Sequence, residues 1–367
     1  MNKKEKIMNR VFFISIAIIG LAVILAGCTQ LIKAGSAELV PADHPGISYT
    51  GRVDFSDPKA VRFDWPGILI SANFEGPYIG AKITDGNNDY NIFIDGKLAG
   101  VLVTKPGIKE YTLAENLSAG AHSLILSRRT EGYQGMAVFH GLLLDKGAKL
   151  LPPPERPARK IEFIGDSITV GYGVEGPGIT CPSEREFKNN WKAFSAVAAR
   201  ELKAEYQMIA ISGRGVVKNY GEKTNVSAEP LPFYYDRTLQ NDPKLKWDFK
   251  SWTPDAVVIN LGTNDFSAQP VPEQSVFVNA YIALIKRVKE NHPQAHVFIC
   301  VGPGQPAPFN RYIVEILDAF NKDKKIHRVD LANTTETELG CDWHPNEPAA
   351  QRLAGELTAE MKPVLGW

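Results

Sequence analysis

After Pro157 the chain alternates between two patterns, and this alternation restricts the possible fold more than any other feature of the sequence. Residues 161–164, 207–211, 256–260 and 297–301 are short apolar runs of the kind buried on both faces of a sheet. Between and after them, residues 190–203, 273–291, 308–320 and 347–361 carry apolar side chains at helical spacing. Strands alternating with helices build a parallel sheet wrapped on both sides. A three-layer α/β/α domain is therefore expected over residues 160–367.

Residues 46–150 have a different period. Short runs such as 61–65, 68–74, 90–95, 101–103, 122–126 and 136–140 are rich in β-branched and aromatic residues, and several alternate apolar with polar. Asp85-Gly86-Asn87-Asn88 and Asp95-Gly96 supply turns between them. Many short strands and no convincing helix predict a jelly-roll-like β-sandwich. Pro152, Pro153, Pro154 and Pro157 make residues 151–159 a stiff linker between the two domains.

The first residues read as an address. Lys3, Lys4, Lys6 and Arg10 precede an apolar run over 11–26, which at 16 residues is short of the roughly 20 that span a bilayer. It ends in Leu25-Ala26-Gly27-Cys28, which resembles a bacterial lipobox. That resemblance implies a signal peptide over 1–27, a lipid on Cys28 and a tether over 28–45. The protein is thus expected to be exported and anchored to a bacterial membrane, at the outer membrane or cell surface. Losing residues 1–27 removes four basic residues and one acidic one, leaving a net charge of −3 that has no attraction to anionic lipid. Over the whole chain 41 basic residues balance 41 acidic ones without a basic stripe, so nucleic acid is not an expected partner.

The loops that follow the second-half strands carry the chemistry. Ligands of such sheets bind at the C-terminal ends of the strands. There the sequence places Gly165-Asp166-Ser167, Ser212-Gly213-Arg214-Gly215, Gly262-Thr263-Asn264-Asp265 and, opening the last helix, Cys341-Asp342-Trp343-His344-Pro345. A serine, a glycine amide, an asparagine amide and a histidine at one rim are what acyl transfer needs. The hydroxyl attacks, the imidazole takes its proton, and amide donors meet the developing oxyanion. Ser167 is the candidate nucleophile, His344 the base and Asp342 its acidic partner. The backbone N–H groups of Ser167 and Gly213 and the Asn264 side chain are the candidate oxyanion donors.

This set resembles the GDSL, or SGNH, hydrolase superfamily, whose four named residues match Ser167, Gly213, Asn264 and His344 in order. A β-sandwich ahead of such a domain, with Tyr235-Asp236-Arg237 and Cys341-Asp342-Trp343-His344-Pro345, resembles carbohydrate esterase family 2. The resemblance implies a serine esterase that removes O-acetyl groups from xylan- or mannan-type glycans, often at the 6-hydroxyl. A lipase, a thioesterase or a peptidoglycan O-acetylesterase would use the same residues. A glycan-binding lipoprotein without activity is the alternative of another class. Most SGNH hydrolases place an Asp three residues before the His, where this chain has Cys341. Some family 2 members use a backbone carbonyl instead, which leaves the role of Asp342 open.

Among the aromatics near these loops, Tyr172 and Trp343 are the candidates for substrate contact. Export permits a disulfide between Cys181 and Cys341, both in Gly/Pro-rich loops, and the sequence leaves that bridge and two free thiols equally open. Cys300 ends an apolar run and reads as a buried thiol. No His, Cys or carboxylate cluster has metal spacing and no glycine-rich loop suits a phosphate, so no metal or cofactor is expected.

Overall fold

The computed structural model describes residues 37–181 and 185–367. The expected signal peptide and the lipidation of Cys28 lie outside these residues. The N-terminal half holds ten strands: β1 (Glu38–Pro41), β2 (Ile47–Thr50), β3 (Val61–Phe63), β4 (Leu69–Glu75), β5 (Ile79–Asp85), β6 (Asp89–Ile94), β7 (Lys97–Val103), β8 (Gly107–Ala114), β9 (Ala121–Arg128) and β10 (Ala137–Leu144). They form two antiparallel sheets, one ordered β1-β10-β5-β8 with β3 also on β10, the other β2-β4-β9-β6-β7. Alternation decides the inner face: in β4, Ile70, Ala72 and Phe74 are buried while Leu69, Ser71 and Asn73 are not. The tether expected to reach residue 45 is in part a strand. Glu38–Pro41 pairs antiparallel with Leu144–Gly141 and closes an edge of the first sheet, a long-range pairing that local composition does not announce.

The second half contains β11 (Arg159–Gly165), α1 (Ser167–Val170), α2 (Phe194–Glu201), β12 (Ala204–Ala210), β13 (Arg237–Leu239), β14 (Asp242–Lys246), β15 (Ala256–Asn260), α3 (Gln274–Asn291), β16 (His296–Val301), α4 (Ala307–Asp318), β17 (Ile326–Asp330) and α5 (Glu347–Leu365). The parallel sheet runs β12-β11-β15-β16-β17. In β15 every residue is buried, as a strand covered on both faces requires. α2 and α5 cover one face through Phe194, Ala198, Leu353, Leu357 and Met361 against Ile161, Phe163 and Val258. α3 and α4 cover the other, where Phe277, Tyr281, Ile285 and Val288 follow the helical period. No described helix is long and apolar enough to cross a membrane.

The two halves are joined by more than the linker. The described residues form one compact unit. Arg52, fully buried, reaches from the sandwich to Glu162 in β11 at 2.8 Å and donates to the Arg237 carbonyl at 3.0 Å. Tyr235, Trp247 and Phe249 surround its guanidinium. The β13–β14 hairpin, which has no strong strand signal, clasps the sandwich: Trp65 donates to the Thr238 carbonyl, and the Asp64 carboxylate accepts from the amides of Gln240 and Asn241. The linker itself is tied down by Leu151 to Asn73 and by Arg156 to Glu205.

Candidate active site

The sheet order puts β11 between β12 and β15, so the chain leaves β11 to one side and later returns to the other. That reversal opens a crevice at the strand ends, the usual ligand position in such sheets. Ser167 follows β11, Gly213 follows β12 and Asn264 follows β15, so all three flank the crevice. Ser167 is the first residue of α1, which is held by an Asp166 cap accepting from the Ile168 amide and ends at Gly171 in the left-handed region, φ 80°. This short turn aims the Ser167 side chain out of the sheet.

His344 arrives from the far end of the chain. Its Nε2 lies 2.7 Å from Ser167 Oγ, across 177 residues of sequence. Its Nδ1 lies 3.1 Å from the Cys341 carbonyl. A carbonyl oxygen can only accept, so Nδ1 carries the hydrogen and the Nε2 lone pair faces the serine. That is the tautomer a general base needs. Burial pushes the His344 pKa below its usual value, opposed by the Cys341 and Asp342 carbonyls and the Asp342 and Glu131 charges. The neutral, proton-accepting form is favoured.

Asp342 does not stand where an acid partner would. Its Oδ2 accepts from the Tyr172 hydroxyl at 2.9 Å, and the Cys341 carbonyl occupies the position at Nδ1. The cause is backbone conformation. Asp342 (φ 50°) and Trp343 (φ 66°) both adopt the left-handed region, which turns the loop so that a carbonyl faces the imidazole. Two consecutive non-glycine residues there are strained, and strain of this sort survives only where the surroundings enforce it. Enforcement comes from the Cys181–Cys341 disulfide, from Cys341 N–H to the Gly173 carbonyl, and from Gly340 N–H to the His344 carbonyl. Gly173 and Gly176 are required here, since a Cβ on either would lie within 3 Å of Cys341. Cys300 is a free, buried thiol.

Tyr172 supports the histidine from one side, with ring centroids 4.5 Å apart, while its hydroxyl is engaged by Asp342. Trp343 is 69% exposed on the rim. Tyr220 and Tyr133, not singled out from the sequence, are also exposed aromatics here; Tyr220 adjoins Gly213 and Tyr133 comes from the sandwich.

At the candidate oxyanion position, Gly213 has φ 75° and leads into a loop that Asp265 holds through the amides of Val216, Val217 and Lys218. Burial raises the Asp265 pKa to about 6 despite those three donors. Asn264 Nδ2 donates to the Arg214 carbonyl at 3.0 Å and reaches Asp166 Oδ2 at 3.3 Å. Burial, reinforced by the Asp265 charge, raises the Asp166 pKa to about 7. Among the described residues no cluster of His, Cys, Asp and Glu is arranged to hold a metal ion.

A serine and histidine in contact above a parallel sheet are the core of a serine hydrolase, and the family match makes it a carboxylic ester hydrolase of the GDSL-like type. Residues 163–352 match the GDSL-like lipase/acylhydrolase family, and residues 49–154 match the carbohydrate esterase 2 N-terminal family. The chain is 39% identical over 335 residues to the cellulase/esterase CelE of Acetivibrio thermocellus, covering 89% of this chain and 40% of that protein. It is 31% identical over 363 residues to an acetylxylan esterase/glucomannan deacetylase of Cellvibrio japonicus, covering 95% of this chain and 98% of that one. A solved family two carbohydrate esterase from Clostridium thermocellum, in complex with cellohexaose, superimposes with a TM-score of 0.83 at 37% identity, covering 88% of this chain and all of that one. The chain belongs to carbohydrate esterase family 2.

Proposed function

We propose that the protein removes O-acetyl groups from polysaccharides or oligosaccharides of the xylan or mannan type by acyl transfer through Ser167. The observation that carries this reading is the 2.7 Å contact from Ser167 Oγ to His344 Nε2, with Nδ1 fixed on a carbonyl. Oγ attacks the acetyl carbonyl as its proton passes to Nε2. The oxyanion forms against the backbone N–H groups of Ser167 and Gly213. Asn264 joins them by exchanging its 3.3 Å contact with Asp166 for the oxyanion while the shorter bond to Arg214 holds it in place. The imidazolium then gives its proton to the sugar oxygen as its bond to carbon breaks, so the sugar departs as a hydroxyl and acetyl remains on Ser167. Water attacks the acetyl carbonyl as His344 takes its proton, and the imidazolium returns that proton to Ser167 Oγ as the C–Oγ bond breaks and acetate leaves. Trp343, exposed beside the histidine, is the side chain offered to a sugar ring. Acetate release from defined acetylated xylans and glucomannans, compared with lipid esters and thioesters, tests the reading. Release from the glycans alone is expected, and preference for the lipids or thioesters overturns it.

Export and lipidation of Cys28 belong to the same reading and rest on the sequence of residues 1–28. Detergent-phase partition of the expressed protein, lost on Cys28→Ser, is the expected result.

A further inference from the structure

Glu131 lies in the sandwich, yet its carboxylate is fully buried against the loop that follows β12. Its Oε2 accepts from the Ser212 amide at 2.9 Å and its Oε1 from the Ser212 hydroxyl at 2.8 Å. Lys188, nearly buried, lies 3.1 Å from the same carboxylate. Two residues on, the Tyr133 hydroxyl donates to the Ser212 carbonyl at 3.1 Å. Both side chains, on one turn of the sandwich, therefore grip the residue that precedes Gly213.

The grip matters because of where it falls. The Ser212 carbonyl and the Gly213 N–H belong to one peptide plane and point in opposite directions. Tyr133 fixes the carbonyl end of that plane, and Glu131 fixes the amide and side chain on the other side of the Ser212 α-carbon. Together they limit the two dihedrals that could swing the Gly213 N–H away. Crowding does not perform this task, since the nearest atom to a Cβ built on Gly213 is Tyr220 Cβ at 3.7 Å. Asp265 holds the loop only from Val216 onward. The Tyr220 N–H, donating to the Gly213 carbonyl at 2.8 Å, holds the peptide on the far side of the Gly213 α-carbon and leaves the plane that carries the Gly213 N–H to Glu131 and Tyr133.

We infer that the Glu131 and Tyr133 turn of the N-terminal sandwich orients the Gly213 N–H toward the oxyanion, making both of them positioning residues for acyl transfer. The sandwich is then part of the catalytic apparatus as well as a neighbour of it. This rests on the acyl-transfer reading above.

The test uses the whole protein with a small aryl acetate, which has no sugar to reach Tyr133 and so reports acyl transfer without glycan binding, with kcat compared on the pH plateau above the His344 limb. Glu131→Gln keeps the shape but loses the charge, and Tyr133→Phe removes one hydroxyl from a residue that is 55% exposed and leaves folding intact. Losing an oxyanion donor outright costs about 10²- to 10³-fold, so a misdirected one is expected to lower kcat by roughly 10-fold in Glu131→Gln and a few-fold in Tyr133→Phe, with KM within about twofold. A boronic acid that forms a tetrahedral adduct on Ser167 should weaken in the same proportion as kcat.

A pH profile separates the charge of Glu131, felt at His344, from its grip on Ser212. His344 is faced by Asp342 from its own loop, by Tyr172 with Lys188 beyond it, and by Glu131 from the sandwich. Neutralising Glu131 removes an anion and leaves Lys188 uncompensated, so the acid limb of kcat/KM should move to lower pH. If Glu131→Gln fails to fold, Tyr133→Phe decides alone. Undiminished kcat in the folded variants, or a rise in KM that accounts for the loss, overturns the inference. A wild-type protein that releases no acetate overturns the acyl-transfer reading instead.

Discussion

Replacing Asp342 by Asn measures how the imidazole is held. Where a carboxylate sits on Nδ1, its conversion to an amide costs about 10⁴ in kcat, because the imidazole is locked in the wrong tautomer. In this protein Nδ1 donates to the Cys341 carbonyl, which the substitution leaves in place. Asn still accepts the Tyr172 hydroxyl through its carbonyl oxygen, and it tolerates the left-handed backbone at φ 50°. What disappears is one negative charge that favours the imidazolium. If that charge supports the imidazolium by about one pKa unit, roughly 1.4 kcal/mol, the loss is at most about tenfold. The sign of the pH effect follows. Asp342 raises a His344 pKa that burial has lowered, so removing it lowers the pKa further and carries the acid limb of kcat/KM to lower pH. Steady-state acetate release from pH 4 to 9, with Tm recorded alongside, is the assay. A loss of 10³-fold or more in a protein of unchanged Tm would refute the reasoning, since it would require the carboxylate to leave Tyr172 and engage Nδ1 during turnover. Asp342→Ala is a poorer probe, because alanine in the left-handed region adds about 1 kcal/mol of backbone strain.

Ser167→Ala should abolish acetate release while Tm and glycan binding persist, and residual turnover near wild type would remove Ser167 from the chemistry. Cys181→Ser opens a link between residues 160 apart in sequence that anchors the His344 loop. It should cost about 2–5 kcal/mol of stability and lower kcat, read by denaturant titration and acetate release, whereas no change in either would show that the loop holds its strained shape unaided. Arg52→Ala leaves Glu162 buried without its cation at the join between sandwich and hydrolase. A loss of about 3–5 kcal/mol is expected, and a change below 1 kcal/mol would mean that the hairpin carries the join.

The layered sheet and the residues at its rim were legible in the sequence, because periodicity and turn chemistry are local. Residues 256–260 read as a doubly buried strand and are one; residues 273–291 read as a helix and the observed one is Gln274–Asn291. Less was legible where pairing partners are distant or side chains half exposed. The edge strands Glu38–Pro41 and Ile326–Asp330 are short and only partly buried, so their sequences show little of the apolar pattern that marked the central strands. The hairpin from Arg237 to Lys246 makes sense only against Asp64 and Trp65, more than 170 residues earlier.

For the site the division is similar. The sequence by itself placed a serine, a glycine and an asparagine in the loops that follow three buried strands and a histidine in the loop that opens the last helix, since loop position follows from local pattern. The strand order that brings them to one crevice is tertiary. Only the tertiary structure decided which atom faces which. Left-handed backbone at Asp342 and Trp343 sends the carboxylate to Tyr172 and a carbonyl to His344. Glu131, 81 residues from Ser212, reaches it across the join between the two halves. Local pattern encodes periodicity, whereas contact across such separations depends on dihedrals and packing that no short stretch of chain contains.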